Sequence, residues 1–312
     1  MKIQGLQGMA SFKKKILILS TVHKNLVKNL KKKKLYFKYC PNPNKKRLHF
    51  EIKDAYIIIL RSGIKIDQNL IFKSKNLKYI IRAGSGLDNI DIKTAKKRNI
   101  KVFSLPNLNS QSVAELGFGL LISASRNIIK ADRELKKNLW NKPNLYGYEL
   151  KNKTIGIIGL GNIGIKVAKI AKNFSMNVLA YVKNKSKKRN VNTKTVSLVQ
   201  LFKKSDFIIF NVPLNKGTAN LLNKKNSKFL RPNAVIVNLS RGGVINENTL
   251  YSLLKKRKIF AAASDVFLNE GKQNKLFKLD NMISTPHIGA MSYDAQKLIA
   301  KKTFDKICRL LK

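Results

Sequence analysis

The chain has 312 residues, 44% of them hydrophobic, enough to bury a sizeable core and build two domains. It carries 64 Lys and Arg against 16 Asp and Glu, a formal net charge of +48, but only eleven of the cations are Arg, and the lysines run through every segment beside abundant Asn; the charge therefore reads as coding bias, and no specific nucleic-acid partner is expected. Cys40 and Cys308 give neither a disulfide framework nor a metal cluster, and the apolar runs are strand-length. The start lacks a hydrophobic signal core, so a soluble cytoplasmic protein without metal or membrane is expected, with Met9 as an alternative start.

In chain order, "KILILS" (15–20), "AYIIIL" (55–60), "LKYIIRAG" (77–84) and "IKVFSLP" (100–106) are predicted as buried parallel strands, each followed by a polar helical or loop segment. One helix is predicted from near Ser110 through "LLISASRNIIKADRELKKNLW", because neither Gly nor Pro interrupts the chain after Gly119. A second series follows: "KTIGIIGLGNIG", "NVLAYV", "DFIIFNVP", "NAVIVNLS" and "NMISTPH". Strand–helix alternation in two separate series predicts an α/β chain with two doubly wound sheets.

The chemistry begins at Gly159, Gly161 and Gly164, a G-x-G-x-x-G between an apolar strand and an amphipathic helix. The first glycine permits the tight turn, the second lets a pyrophosphate approach the backbone, and the third lets helix and strand pack closely. The N–H groups and dipole at the helix start suit phosphates. Of three histidines, His23 and His49 lie in polar, Lys-rich surroundings and read as surface residues. His287, in "STPHIGA", falls in a loop at a strand's carboxyl end, the ligand edge of a parallel sheet, although a structural histidine fits there too. Arg241 stands beyond another strand end, before Gly-Gly and a helix with N-cap Asn246, and suits bidentate capture of a carboxylate. "AAASDVFLNEG" adds Asp265 and Glu270, two of the few carboxylates, which a solvated loop would also explain.

Several motifs, taken together and in order, resemble the D-isomer-specific 2-hydroxyacid dehydrogenase family: "RAGSGLDNID", "PNLNSQSVAELGFGLLISASRNI", "GYELKNKTIGIIGLGNIG", "NLSRGGVINENTL", "AAASDVF" and "TPHIGA". The resemblance covers nearly the whole chain from about residue 15. It implies a flavodoxin-like substrate domain, 1–104 with 286–312, and an inserted Rossmann domain, 105–285, that binds NAD and forms a homodimer. It implies a triad of Arg241, Glu270 and His287. Neutral imidazole, with an ordinary pKa of about 6.5, suits removal of a hydroxyl proton as hydride leaves for the nicotinamide. Glu270 would stabilise the imidazolium and fix one tautomer, and Arg241 would bind the substrate carboxylate.

By the same resemblance, Gly84, Ser85 and Gly86 form a second carboxylate contact, with Asn107 also at the substrate, and Asp265 touches the nicotinamide carboxamide. Asn162, Ile163, Val182, Lys183 and Pro213 lie beside the dinucleotide. Arg61 and Arg82 match cations that would take a phosphorylated hydroxy acid, and Arg126 would reach a site across a dimer interface, though each also fits a structural or surface arginine; the substrate this favours is 3-phosphoglycerate, with glyoxylate or hydroxypyruvate reduction, or a nonenzymatic corepressor-like role, as alternatives. The chain ends at Lys312, soon after the closing helix, so no C-terminal regulatory domain and no inhibition by serine are expected. Two positions depart from the family pattern. Gly271 replaces a usual Pro and is expected to loosen the Glu270 loop. Val182 stands where a ribose-binding Asp is expected, followed by Lys183, Lys185, Lys187, Lys188 and Arg189. The whole-chain resemblance favours NAD, and Val182 leaves NADP open.

Overall fold

The computed structural model describes residues 14–183 and 193–312; Lys185, Lys187, Lys188 and Arg189 lie outside them. Contacts divide the chain into two compact units: the described part of Met1–Leu108 with Gln296–Lys312, and Asn109–Ala295. The N–H groups of His287, Ile288 and Gly289 bond to Asp265 within the second unit.

In the first unit, β1 (Lys15–Ile18), β2 (Phe37–Tyr39), β3 (Ala55–Leu60), β4 (Tyr79–Arg82) and β5 (Lys101–Ser104) form one parallel sheet in the order β2-β1-β3-β4-β5. This is the flavodoxin-like winding. Alternate residues of each strand serve two cores. Leu17, Ile58 and Ile80 pack with Leu70 and Ile71 on one face. Ile16, Ile57 and Ile81 pack with Leu26, Leu30, Ile299 and Ile307 on the other, so the closing helix Tyr293–Leu311 completes this unit. Apolar runs rather than alternation are the expected signature when both faces are covered.

In the second unit, β6 (Thr154–Ile158), β7 (Asn177–Tyr181), β8 (Lys194–Thr195), β9 (Phe207–Phe210), β10 (Val235–Asn238), β11 (Ala261–Ser264) and β12 (Met282–Ser284) form a parallel sheet ordered β12-β11-β10-β9-β6-β7-β8. The winding reverses between β6 and β9, and ligands of such sheets lie outside the carboxyl ends at that reversal. The helix predicted from Ser110 to Trp140 is two helices, Ser110–Ser125 and Ile128–Leu135. Asn127 breaks it by taking a left-handed conformation, φ 56°. Ser125 carbonyl then accepts the Tyr148 N–H at 2.8 Å, and Asn127 Nδ2 donates to Tyr146 carbonyl at 2.8 Å. Asn tolerates that backbone better than most residues, which is why no Gly or Pro announced the break.

His23 and His49 are half-buried rather than plainly exposed: His23 caps the helix Lys24–Lys32 through Nδ1, and His49 Nδ1 lies 2.9 Å from Lys73 Nζ. No helix among the described residues is long and apolar enough to cross a membrane. Cys40 is buried and Cys308 half-buried, both as free thiols.

Lys15 opens β1 with its side chain inside the fold, donating to Glu51 Oε2 at 3.1 Å and Asp54 Oδ1 at 2.8 Å. Burial alone would lower its pKa, but the bonds to Asp54 and Glu51 outweigh burial and raise it above 10.5. The stabilisation is therefore complete below the unfolded-state pKa and is lost as pH rises through the folded-state value. Lys15→Met, which leaves the buried Glu51 carboxylate without this partner, is expected to lower unfolding free energy by about 3–5 kcal/mol in urea titrations at neutral pH. The deficit should shrink above about pH 10.5. A constant deficit across that range would contradict the assigned pair.

Candidate active site

The turn after β6 has the shape a dinucleotide requires. Gly159 adopts φ 96°, closed to most side chains, and a Cβ there would press on Asn211 carbonyl at 2.8 Å. Gly161 has open space where its Cβ would stand, so a ligand can reach the backbone. A Cβ at Gly164 would overlap the Gly159 carbonyl, so this glycine sets the close helix–strand contact. The helix Asn162–Asn173 starts here with no side-chain cap, and the dipole of a helix start suits an anion. Asn162 and Ile163 are the first residues of that helix.

Across the reversal, Asn211 follows β9, and among the described residues neither of its buried amide atoms has a partner. A buried amide is costly without hydrogen bonds, so a ligand at this edge would satisfy it. Pro213 lies two residues on, its carbonyl accepting Thr218 Oγ1 at 2.5 Å. The residues present therefore fit a dinucleotide.

His287 and Glu270 come together. His287 Nδ1 lies 2.8 Å and 3.0 Å from the two carboxylate oxygens of Glu270, at the wall of a cavity of about 600 Å³ that Phe267, Phe277 and Thr285 also line. A carboxylate on Nδ1 holds the proton there, leaving Nε2 as the nitrogen for proton exchange. Gly271 takes φ 83° in a turn that Lys272 N–H closes by donating to Asn269 carbonyl at 3.1 Å. Proline, held near φ −65°, has no access to this turn. Glu247, unremarked in the sequence, fastens the same segment by accepting Leu268 N–H and Asn274 Nδ2, each at 2.7 Å.

Asp265, 3% exposed, anchors the other side. Its Oδ1 accepts Thr285 Oγ1 at 2.6 Å and Ile288 N–H at 2.8 Å, and its Oδ2 accepts Gly289 N–H at 2.8 Å. His287 N–H donates to the Asp265 carbonyl at 2.9 Å, and His287 itself sits at φ 55°. A non-glycine residue holds that backbone when its surroundings over-determine it, as they do here. Ser112 Oγ adds a bond to Gly289 carbonyl at 2.7 Å.

Arg241 follows β10. Asn238 holds its loop, accepting Ser240 Oγ at 2.7 Å and donating from Nδ2 to Arg241 carbonyl at 3.3 Å, while the Arg241 guanidinium donates to Ser240 carbonyl at 2.7 Å. A Cβ at Gly242 would overlap Phe267 and Leu268 backbone, so the Arg241 loop lies directly on the segment leading to Glu270.

The first unit carries the remaining candidates. Arg61 and Arg82 end neighbouring strands: Leu60 pairs with Arg82, and Arg61 N–H donates to Ser20 Oγ at 2.9 Å. Burial pushes the Arg61 guanidinium below its ordinary pKa. The Arg82 side chain folds beneath the turn of Gly84, Ser85 and Gly86, where a Cβ at Gly84 would overlap its guanidinium. Asn107 follows β5 at the same edge with φ 72°. Arg126 belongs to the second unit, exposed just beyond the helix Ser110–Ser125. Among the described residues, no group of three His, Cys, Asp or Glu is placed to hold a metal ion.

The family model for the D-isomer specific 2-hydroxyacid dehydrogenase NAD binding domain matches residues 118–289. The D-3-phosphoglycerate dehydrogenase of Methanocaldococcus jannaschii is 40% identical over 303 residues, 96% of this chain and 57% of the relative. The chain thus spans little more than half of that protein. The hydroxypyruvate reductase of Thermotoga maritima is 41% identical over 264 residues, 83% of this chain and 86% of the relative. Among solved structures, an acyclic imino acid reductase in complex with NADPH and D-Arg superposes with TM-score 0.85 at 31% identity, over 95% of this chain and 97% of that one. The chain belongs to the D-isomer-specific 2-hydroxyacid dehydrogenase family.

Glu247→Ala frees the Glu270 loop while leaving the Glu270 and His287 side chains in place. Because small misplacements are costly in catalysis, kcat of any turnover that uses the His287–Glu270 pair is expected to fall about tenfold to hundredfold, with dinucleotide affinity unchanged. An unchanged kcat would remove Glu247 as a positioning residue.

Proposed function

We propose that the chain is an NAD(P)-linked oxidoreductase acting on the CH–OH group of a D-2-hydroxy acid, with 3-phosphoglycerate oxidised to 3-phosphohydroxypyruvate as the favoured reaction. The observation that carries this reading is the bond of His287 Nδ1 to both Glu270 oxygens, in the sheet that bears the glycine turn. The nicotinamide, when bound, supplies or accepts the hydride. In oxidation, His287 Nε2 takes the hydroxyl proton, and the adjacent Glu270 carboxylate stabilises the cation that results. In reduction, the same nitrogen returns the proton to the carbonyl oxygen. Arg241 binds the substrate carboxylate and polarises the C2 oxygen. Asp265 has both oxygens engaged by the 285–289 segment, and a contact with the carboxamide uses a remaining lone pair.

The phosphorylated substrate is supported by Arg61 and Arg82, one residue apart in register at the carboxyl ends of neighbouring strands of the first unit. This reaction would open serine biosynthesis. The second reading, reduction of hydroxypyruvate or glyoxylate, is favoured by the relative named hydroxypyruvate reductase, most of whose length this chain covers. A homodimer through the nucleotide-binding unit is supported by its segment 128–146: the helix Ile128–Leu135 has no buried residue, and Trp140 and Tyr146 are 82% and 85% exposed. Such a run of exposed apolar side chains suits association. The two free thiols fit a reducing, cytoplasmic setting.

Steady-state assays with 3-phosphoglycerate, glycerate and glyoxylate, each with both cofactors, are expected to give turnover, highest with 3-phosphoglycerate. Turnover with glyoxylate alone would select the reductase, and bound cofactor without turnover would leave the corepressor-like role. His287→Ala is expected to slow hydride transfer by about a thousandfold while cofactor still binds. Retained activity would remove His287 from its role.

A further inference from the structure

The strand beside the glycine turn decides which ribose the site accepts. Ile158 pairs with Tyr181, and Gly159 N–H donates to Tyr181 carbonyl at 2.9 Å, so the residue after Tyr181 stands next to the turn. A site selective for an unphosphorylated ribose places a carboxylate there, to accept from the 2′-hydroxyl and repel a 2′-phosphate. Here the position holds Val182, 8% exposed and packed into the apolar core.

The neighbouring sequence offers no substitute acid. Between Glu149 and Glu247 the chain contains one acidic residue, Asp206. Asp206 precedes β9 and accepts the N–H of Thr154, the first residue of β6, at 2.9 Å, and its other oxygen pairs with Arg231 at 3.5 Å. It therefore stands at the amino edge of the sheet, opposite the glycine turn.

Lys183 points the other way in charge. It is exposed, and its Nζ lies against Gly217, where an added Cβ would overlap it. Gly217 belongs to the loop after β9, and β9 and β7 flank β6. The side chain thus reaches from the end of β7 across the mouth of the strand that carries the glycine turn. The loop that meets it is fixed: Gly217 N–H donates to Asn215 Oδ1 at 2.9 Å, and Thr218 Oγ1 donates to Pro213 carbonyl. In a chain of charge +48 a lysine by itself carries no information. The missing acceptor and the placement of this ammonium on the ligand edge do.

We propose that the dinucleotide site accepts a ribose 2′-phosphate, with Lys183 as its counter-charge and Val182 as the residue that removes the barrier to it. The inference rests on the reading of the glycine turn as a nicotinamide-dinucleotide site and extends it to the phosphorylated cofactor.

Binding tests it without turnover. The full chain is titrated with NADPH and NADH by nicotinamide fluorescence, and with 2′,5′-ADP and 5′-AMP by calorimetry, at low ionic strength. NADPH is expected to bind about fivefold tighter than NADH, the scale of one solvent-exposed ion pair, with 2′,5′-ADP exceeding 5′-AMP likewise. Lys183→Ala is expected to remove most of that margin by weakening NADPH alone, and Val182→Asp to reverse the preference. NADH binding as tightly as NADPH, or Lys183→Ala weakening both alike, would overturn the proposal while leaving the dinucleotide site standing. Binding of neither dinucleotide would overturn both.

Discussion

The buried carboxylate of Asp265 is the constraint on which the rest of the site depends. Three donors from the 285–289 segment converge on it, and one, the Gly289 N–H, is buried and would otherwise lack a partner. Those bonds fix the chain on both sides of His287 and hold it in a left-handed conformation that a non-glycine residue rarely adopts. With the imidazole so placed, Glu270 needs to approach from one direction only. The closed turn at Gly271 and the bonds of Glu247 to Leu268 and Asn274 deliver it.

The sheet explains why these residues meet. β10, β11 and β12 are parallel neighbours in register, so Arg241, Asp265 and His287 all leave the sheet at its carboxyl edge. The glycine turn leaves the same edge at β6, on the other side of β9. Backbone chemistry at one end and side-chain chemistry at the other are thus set by one winding rule. The first unit repeats the logic, with Ser20, Arg61 and Arg82 emerging together from β1, β3 and β4.

Much of this was legible in the sequence, and the failures are physical. Long β-branched runs announced β1, β3, β4, β6 and β9, because strands covered on both faces carry apolar side chains throughout. β11 went unread as a strand: "AAAS" has weak strand propensity, and its small side chains suit a position under the helix Ser110–Ser125. β8, two exposed residues at the sheet edge, has no apolar signal to read. The break at Asn127 depends on bonds to Tyr146 and Tyr148, some twenty residues on, which no local pattern reveals. The glycine spacing, Arg241, Glu270 and His287 were visible as residue types in motifs. The anchoring by Asp265 and Glu247 was not, because it runs through backbone N–H groups and polar side chains supplied by distant segments.

The most direct test is single-turnover hydride transfer in Asp265→Asn, followed by nicotinamide absorbance after mixing the protein–cofactor complex with a 2-keto acid. The amide keeps the shape but turns one acceptor into a donor facing the 285–289 segment. The account requires the transfer rate to fall about a hundredfold in a chain that stays folded and still binds dinucleotide. An unchanged rate would show that His287 is placed by something other than this carboxylate, and the account would fail.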